Sequence, residues 1–215
     1  DFDGSSRYTI SIVTDRYVAS TPDRACNYMS ISDIADYLDW ACLRPMTELE
    51  FEKTCRGTLR PRPNEFAWGD TTILNLTSFD GSDGSGSETA LPIEANCNYD
   101  RDAWGPVRVG IFARLGSSRQ ESGAGYYGAM ELTGNLGEPT VSARAQGADY
   151  RGTHGDGSLV SAPADWPGFD GYYYRGGNWN TDLSLNNGLH TSGRPFTVNS
   201  TRSDKHGCRG VRTAP

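Results

Sequence analysis

The chain has 215 residues, a net charge of −7 and a hydrophobic content of 36%, with 26 glycines. Its length suffices for one sizeable core, and no Pro- or Ser-rich linker divides it, so we expect residues 1–215 to form a single domain. The acidic balance argues against nucleic acid or an anionic membrane as partner, because both require clustered Lys and Arg. The chain contains no run of eighteen apolar residues, which argues against direct insertion into a membrane.

The first helix signal lies near residue 30. Ser30 and Asp33 can cap a helix start, and apolar side chains then recur at helical spacing at Ile34, Tyr37, Leu38 and Ala41. This pattern predicts one amphipathic helix.

A second and sharper signal follows. The sequence Thr47-Glu48-Leu49-Glu50 is a capping box, and Met46 and Phe51 stand where a hydrophobic staple would fix the helix entry. Gly57 is placed as a stop. We therefore predict a short helix over about 48 to 56.

After residue 60 the sequence changes character. Short apolar pieces alternate with Gly, Pro, Asn and Asp, which predicts brief strands, long loops and few helices. The low-complexity tract 79–87 lacks the alternating acids of an EF-hand, so we expect a mobile surface loop there rather than a metal site.

Five cysteines, an odd number without CxxC spacing, give neither a zinc signature nor a dense disulfide framework. We expect them to be buried free thiols.

Several segments in a fixed order resemble the sulfatase-modifying, formylglycine-generating-enzyme family. The segment Arg44–Glu52 is similar to that family's Arg-Leu-Pro-Thr-Glu-Ala-Glu-Trp-Glu, and Tyr127–Glu138 to its Gly-Leu-Tyr-Asp-Met-x-Gly-Asn-Val-Trp-Glu. Arg175-Gly176-Gly177-Asn178-Trp179 resembles Arg-Gly-Gly-Ser-Trp. Shorter matches are Phe66–Asp70, Pro106–Val107 and Gly210–Arg212.

This resemblance implies an α+β fold of the C-type lectin type, in the formylglycine-generating-enzyme-like subtype. Such a fold is loop-rich, and here it would have two short N-terminal helices and short antiparallel strands. Arg175, Trp179 and Arg212 are then expected to be structural residues that frame a site. The resemblance also implies a calcium site at Asn135 and Glu138, although both side chains could instead hydrogen-bond loop backbone groups.

Catalysis is not expected. Formylglycine-generating enzymes carry a cysteine pair that binds copper between their last two motifs, whereas residues 178–206 here contain no cysteine. The related iron-dependent sulfoxide synthases use a histidine cluster, but His154, His190 and His206 lie far apart in sequence without a local ligand spacing. The alternatives left open are an oxidase with relocated ligands and a carbohydrate-binding lectin.

The chain also resembles the variable proteins of diversity-generating retroelements. Their C-terminal segment, here 175–212, is rewritten by adenine-directed mutagenesis to bind new protein ligands. Residues 178–206 hold five of the eleven asparagines of the chain, which fits such a history. The expected ligand-binding residues are Asn178, Asn180, Thr181, Leu183, Leu185, Asn187, His190, Ser192, Phe196, Val198 and Ser200.

The resulting expectation is a hypervariable, non-catalytic binding protein of a virus, phage or bacterium. Its partner would be a protein on a host or target cell surface, and it would act on a virion surface or at the cell exterior. No cofactor is required, apart from the calcium that the resemblance allows.

Overall fold

Two short helices and nine short strands, connected by long loops, form a mixed α/β fold in the computed structural model. It describes residues 10–184, 188–194, 196–198 and 200–214. Within these residues the helices lie before residue 60, as predicted, and the later helical turns are two 3-10 turns at Ala145–Gly147 and Phe169–Gly171. No helix in the described part of the chain is long and apolar enough to cross a membrane.

Helix α1 spans Ile31–Trp40 and begins at the predicted cap. The Ser30 hydroxyl accepts a hydrogen bond from the Asp33 backbone N–H, and the Asp33 carboxylate accepts one from the Ser30 N–H. These reciprocal bonds satisfy N–H groups that have no partner inside the helix. Ile34 and Leu38 face the core, whereas Tyr37, expected on the same face, is nearly half exposed.

Helix α2 spans Glu48–Arg56, which confirms the predicted bounds. Thr47 and Glu50 form the expected capping box, and Met46 and Phe51 are buried in one hydrophobic cluster. Gly57 ends the helix with φ +61°, where a Cβ would collide with the ring of Tyr126. The start and stop of this helix are thus both specified locally.

The strands pair antiparallel. The three-stranded sheet runs β6 (Glu138–Val141), β7 (Tyr172–Arg175), β8 (Phe196–Thr197). Strands β3 (Arg44–Pro45) and β9 (Gly210–Val211) pair with each other and so bring the segment before α2 against the last motif. Two hairpins complete the set: β1 (Ile10–Val13) with β2 (Arg16–Ala19), and β4 (Ser78–Asp80) with β5 (Thr89–Leu91).

The low-complexity tract is not simply a loop. Phe79 and Asp80 belong to strand β4, and the turn beyond them is held by an ion pair between Arg24 and Asp83. The Gly84 N–H also donates to the buried carboxylate of Glu88. These contacts explain why a Gly/Ser-rich stretch can form the tip of a hairpin.

The core consists of three clusters built from residues far apart in sequence. The first surrounds α2 and includes Phe51, Trp68, Leu132 and Leu189. The second lies between α1 and the three-stranded sheet, and the third is centred on Leu76 and the segment around Phe112. Each of the first two clusters contains three buried aromatic side chains.

All five cysteines are free, as expected. Cys55 and Cys97 are buried and Cys208 is partly buried, but Cys26 and Cys42 are exposed, so the expectation of burial is wrong for these two. Both exposed thiols lie in segments that border α1.

Candidate functional site

A buried ion network forms the base of the C-terminal segment. Arg175, the last residue of β7, is fully buried, and its Nη1 and Nη2 lie 2.9 Å from Glu48 Oε1 and 2.8 Å from Glu52 Oε1. Its guanidinium also stands 5.0 Å from the centroid of the Phe51 ring. Burial lowers the pKa of Arg175, while the Glu48 carboxylate opposes that shift. Arg175 therefore joins the last motif to α2.

Two glycines make the turn after Arg175. Gly176 and Gly177 have φ near +80° and +68°. A Cβ on Gly176 would lie 2.4 Å from the Leu132 carbonyl oxygen, and one on Gly177 would lie 2.8 Å from Leu189. The backbone approach at Gly176 leaves no room for a side chain, and the positive φ at both positions favours glycine.

Trp179 anchors the segment that follows. Its backbone N–H donates to the Asn135 carbonyl, and its indole Nε1 donates to the Asp204 carbonyl at 3.1 Å. The side chain is buried. Trp179 thus holds together the two ends of the stretch 178–206, which agrees with the structural role expected for it.

Asn178 and Thr181 are expected on the ligand-binding surface, but both are buried. The Asn178 N–H donates to Thr181 Oγ1, and the Asn180 N–H donates to Asn178 Oδ1, each at 2.9 Å. Their side chains therefore build the turn, because short polar groups readily satisfy backbone donors at such bends. Asn180 is half-buried, and Leu183 is exposed.

Contacts with the core fix the middle of the segment. Leu189 is fully buried in the first cluster, and the Thr191 N–H donates to the Glu65 carbonyl at 2.9 Å. His190 is half-buried with its ring 5.2 Å from that of Phe66, and burial lowers its pKa. Arg194 reaches back to Glu48. Ser192, as expected, is exposed.

The next part of the C-terminal segment includes strand β8. Phe196 and Thr197 pair through their backbones with Tyr174 and Tyr173. Val198, expected on the surface, is instead buried in the cluster beneath the sheet, because it continues from a strand that lies on the core. Ser200 is exposed. The expected contacts Leu185 and Asn187 lie outside the described residues.

The end of the segment is also fixed. Arg202 forms an ion pair with Asp33 in the first turn of α1 and holds the pKa of that carboxyl well below its usual range. His206 stacks on Tyr174 with ring centroids 3.8 Å apart, and burial lowers its pKa to about 4.

The described residues of 178–206 include exposed, half-buried and buried side chains. Arg194 and Arg202 are exposed but form ion pairs with Glu48 and Asp33, and Asn178 is buried within the turn. We call the other five exposed residues the display residues and the other five buried residues that carry a side chain the anchor residues. The display residues are Leu183, Ser184, Ser192, Ser200 and Thr201, and the anchor residues are Trp179, Thr181, Leu189, Thr191 and Val198.

The structure adds a neighbour that the sequence did not reveal. The Asp100 and Arg101 N–H groups donate to the carbonyls of Thr181 and Trp179, so the loop 100–104 lies against the segment. Trp104 in this loop is 66% exposed. Its aromatic side chain offers a large contact area beside the segment, and its exposure could not be predicted from the sequence.

The expected calcium ligands have other partners. Asn135 Oδ1 accepts hydrogen bonds from the Val107 N–H at 2.9 Å and from Asn98 Nδ2 at 3.2 Å. The Glu138 carboxylate accepts hydrogen bonds from Nε and Nη2 of Arg209. These oxygens already accept N–H donors, so the backbone-satisfying alternative describes Asn135 better and we do not propose calcium.

Arg209 also corrects the expectation for Arg212. The side chain that frames this end of the core is Arg209, which binds Glu138 and the Met130 carbonyl, whereas Arg212 is exposed. The sequence does not show which of Arg209 and Arg212 is buried, because that depends on which way strand β9 faces between them.

Two of the cavities on the described surface differ in their relation to the segment. One of about 430 Å³ lies beside the segment, and its lining includes Val198, Tyr173 and Arg144, whose guanidinium stands 5.2 Å from the Tyr173 ring centroid. The other, about 780 Å³, is lined by four aspartates and His154 among others and by no residue of 178–206. In the described part of the chain no group of three or more His, Cys, Asp or Glu side chains is placed to hold a metal ion.

No protein-family model matches the chain, and no curated protein matches it significantly in sequence.

Proposed function

We propose that this chain is a non-catalytic binding domain of the C-type lectin fold, similar to the formylglycine-generating-enzyme family and to the variable proteins of diversity-generating retroelements. Its C-terminal segment presents a sequence-variable surface to a protein ligand on a host or target cell. The domain acts on a virion surface or at a cell exterior.

The observation that carries this proposal is the division of residues 178–206 into anchors and display residues. The five anchor side chains are buried and the five display residues are exposed. Leu183, Ser184 and Ser192 lie between anchor residues in the chain, and Ser200 and Thr201 follow the last of them. A recognition surface needs rigid support, because a partner must otherwise supply the free energy that orders the loop. The anchors allow the display residues to change without unfolding the segment.

The chemistry of the display residues also fits protein recognition. Serine and threonine offer adaptable hydrogen bonding, and Leu183 adds an apolar contact. Binding loops of antibodies combine small polar residues with a few large anchors in the same way. Trp104, in the loop against the segment, supplies the large aromatic side chain.

Two display libraries test this proposal. One randomises the five display residues and the other the five anchor residues, and each is measured for protease resistance and then selected against one purified, biotinylated globular protein. We expect the display library to stay protease-resistant and to give variants that bind the target protein. These variants should lose their affinity for it when the five display residues are changed back to those of the original chain. The anchor library should lose protease resistance.

Equal loss of protease resistance in both libraries would contradict the division, and a folded display library without binders would contradict the recognition role. The catalytic alternative has its own test. Stoichiometric copper binding with oxidation of a cysteine-containing peptide by the unmodified chain would overturn the non-catalytic assignment.

A further inference from the structure

The segment that precedes α1 runs antiparallel to the end of the C-terminal segment. The Tyr28 N–H donates to the Ser203 carbonyl at 2.9 Å, and Asn27 Nδ2 donates to the Asp204 carbonyl at 3.1 Å. One step further along, a Cβ on Gly207 would lie 2.9 Å from the Cys26 carbonyl oxygen. Cys26 therefore lies opposite the residue that directly precedes Cys208.

The backbone places Cys26 and Cys208 close together, because Cys26 lies against Gly207. Cys208 is partly buried with its Sγ 3.8 Å from Met29 Sδ, and burial raises its pKa, with smaller contributions from Glu138 and Cys26. Cys26 is exposed to reagents in solution, although partial burial of its thiol raises its pKa, so its thiolate too becomes more abundant as pH rises. An accessible thiol next to a sheltered one allows the first to form a mixed disulfide and the second to resolve it.

The other cysteines do not share this setting. Cys55 and Cys97 are buried in the first cluster, where reagents in solution do not reach them. Cys42 is exposed, as Cys26 is, but lies beside Gly157 on the other side of α1 in sequence. Cys42 thus provides a matched control for reactivity that depends on exposure alone.

We propose that Cys26 and Cys208 are a redox pair that closes to a disulfide and ties the segment before α1 to the end of the C-terminal segment. The oxidant is a low-molecular-weight disulfide such as oxidised glutathione. The Cys26 thiolate attacks it, forms a mixed disulfide and releases one glutathione thiolate. The Cys208 thiolate then attacks the Cys26 sulfur and displaces the second. Two protein thiols are oxidised, one glutathione disulfide is reduced, and the two protons end on the glutathione thiols.

Closure would have two consequences. The new bond encloses nearly the whole chain, and a long loop loses the most entropy from its unfolded ensemble, so the melting temperature should rise by roughly 5–10 °C. The pKa of Cys208, raised to about 12 by burial, makes the resolving thiolate scarce at neutral pH, so closure should accelerate as pH rises. Neither consequence depends on the proposed binding function.

The test is oxidation of the folded chain with a glutathione redox buffer, followed by alkylation and peptide mass spectrometry. We expect a crosslinked peptide pair that contains Cys26 and Cys208, unchanged in a Cys42→Ser variant. A Cys208→Ser variant should retain glutathione on Cys26 and lose the rise in melting temperature. If Cys26 carries only glutathione while Cys208 of the folded protein still accepts the alkylating reagent, or if the crosslink appears only in denaturant, the proposal is wrong.

Discussion

Replacement of Arg175 by methionine tests the role of the buried ion network. Arg175 is fully buried, pairs with Glu48 and Glu52 at 2.9 and 2.8 Å, and covers the Phe51 ring. Methionine retains much of the apolar volume, so the main loss is electrostatic. Removal of one partner from a buried pair costs about 3–5 kcal/mol, because the remaining charge stays desolvated.

The structure favours the lower end of that range. Glu48 keeps two other partners, Arg194 and the Ala143 N–H, when Arg175 is lost. We therefore expect Arg175→Met to lower the free energy of unfolding by about 3 kcal/mol, measured by urea denaturation. The exposed Arg212→Met is the matched control and should change it by less than about 0.5 kcal/mol.

A double variant sharpens this test. Adding Glu48→Gln to Arg175→Met removes the carboxylate that has lost its Arg175 partner, so the effect of the double variant should be smaller than the sum of the two single effects. If Arg175→Met and Arg212→Met differ by less than about 1 kcal/mol, the network does not support the segment and the reasoning fails.

Three further predictions concern the backbone, a helix cap and pH. Gly176→Ala should cost more than 2 kcal/mol in urea denaturation, whereas Gly128→Ala, also at positive φ but facing open space, should cost only about 1 kcal/mol; equal costs would contradict the close approach. Thr47→Ala removes the α2 cap and should cost about 1 kcal/mol by the same assay, and no loss would contradict the capping box. Burial lowers the pKa of His206 to about 4 and raises that of Glu131 to about 7, so on acidification from pH 7 to 4.5 His206 removes stability and Glu131 adds it, each by roughly 2–3 kcal/mol. His206→Gln should therefore gain stability over this range relative to Glu131→Gln, and parallel pH profiles of melting temperature would contradict both assignments.

The helices could be predicted from sequence because their signals are local. The cap, the staple and the stop of α2 lie within twelve consecutive residues, and each satisfies a backbone or packing requirement of the helix itself. The loop-rich character after residue 60 follows from composition in the same way. The mixed α/β content and short antiparallel strand pairs agree with the α+β prediction at this coarse level.

The burial of the C-terminal segment could not be predicted, because it depends on distant partners. Thr181 is as polar as Ser192, yet it is buried where the loop 100–104 packs against it. Val198 follows a two-residue strand whose pairing with Tyr173 and Tyr174 sets its direction. No periodicity within the segment encodes these contacts.

The most direct test of the proposed function is deep sequencing of this coding region, with its genomic neighbourhood, in the natural population that carries it. We predict that variants concentrate at the display residues, mostly at adenines, that Trp179 and Leu189 stay fixed, and that a reverse transcriptase gene and a template copy lie nearby. A segment 178–206 as invariant as Arg44–Glu52 would contradict the proposed variable surface.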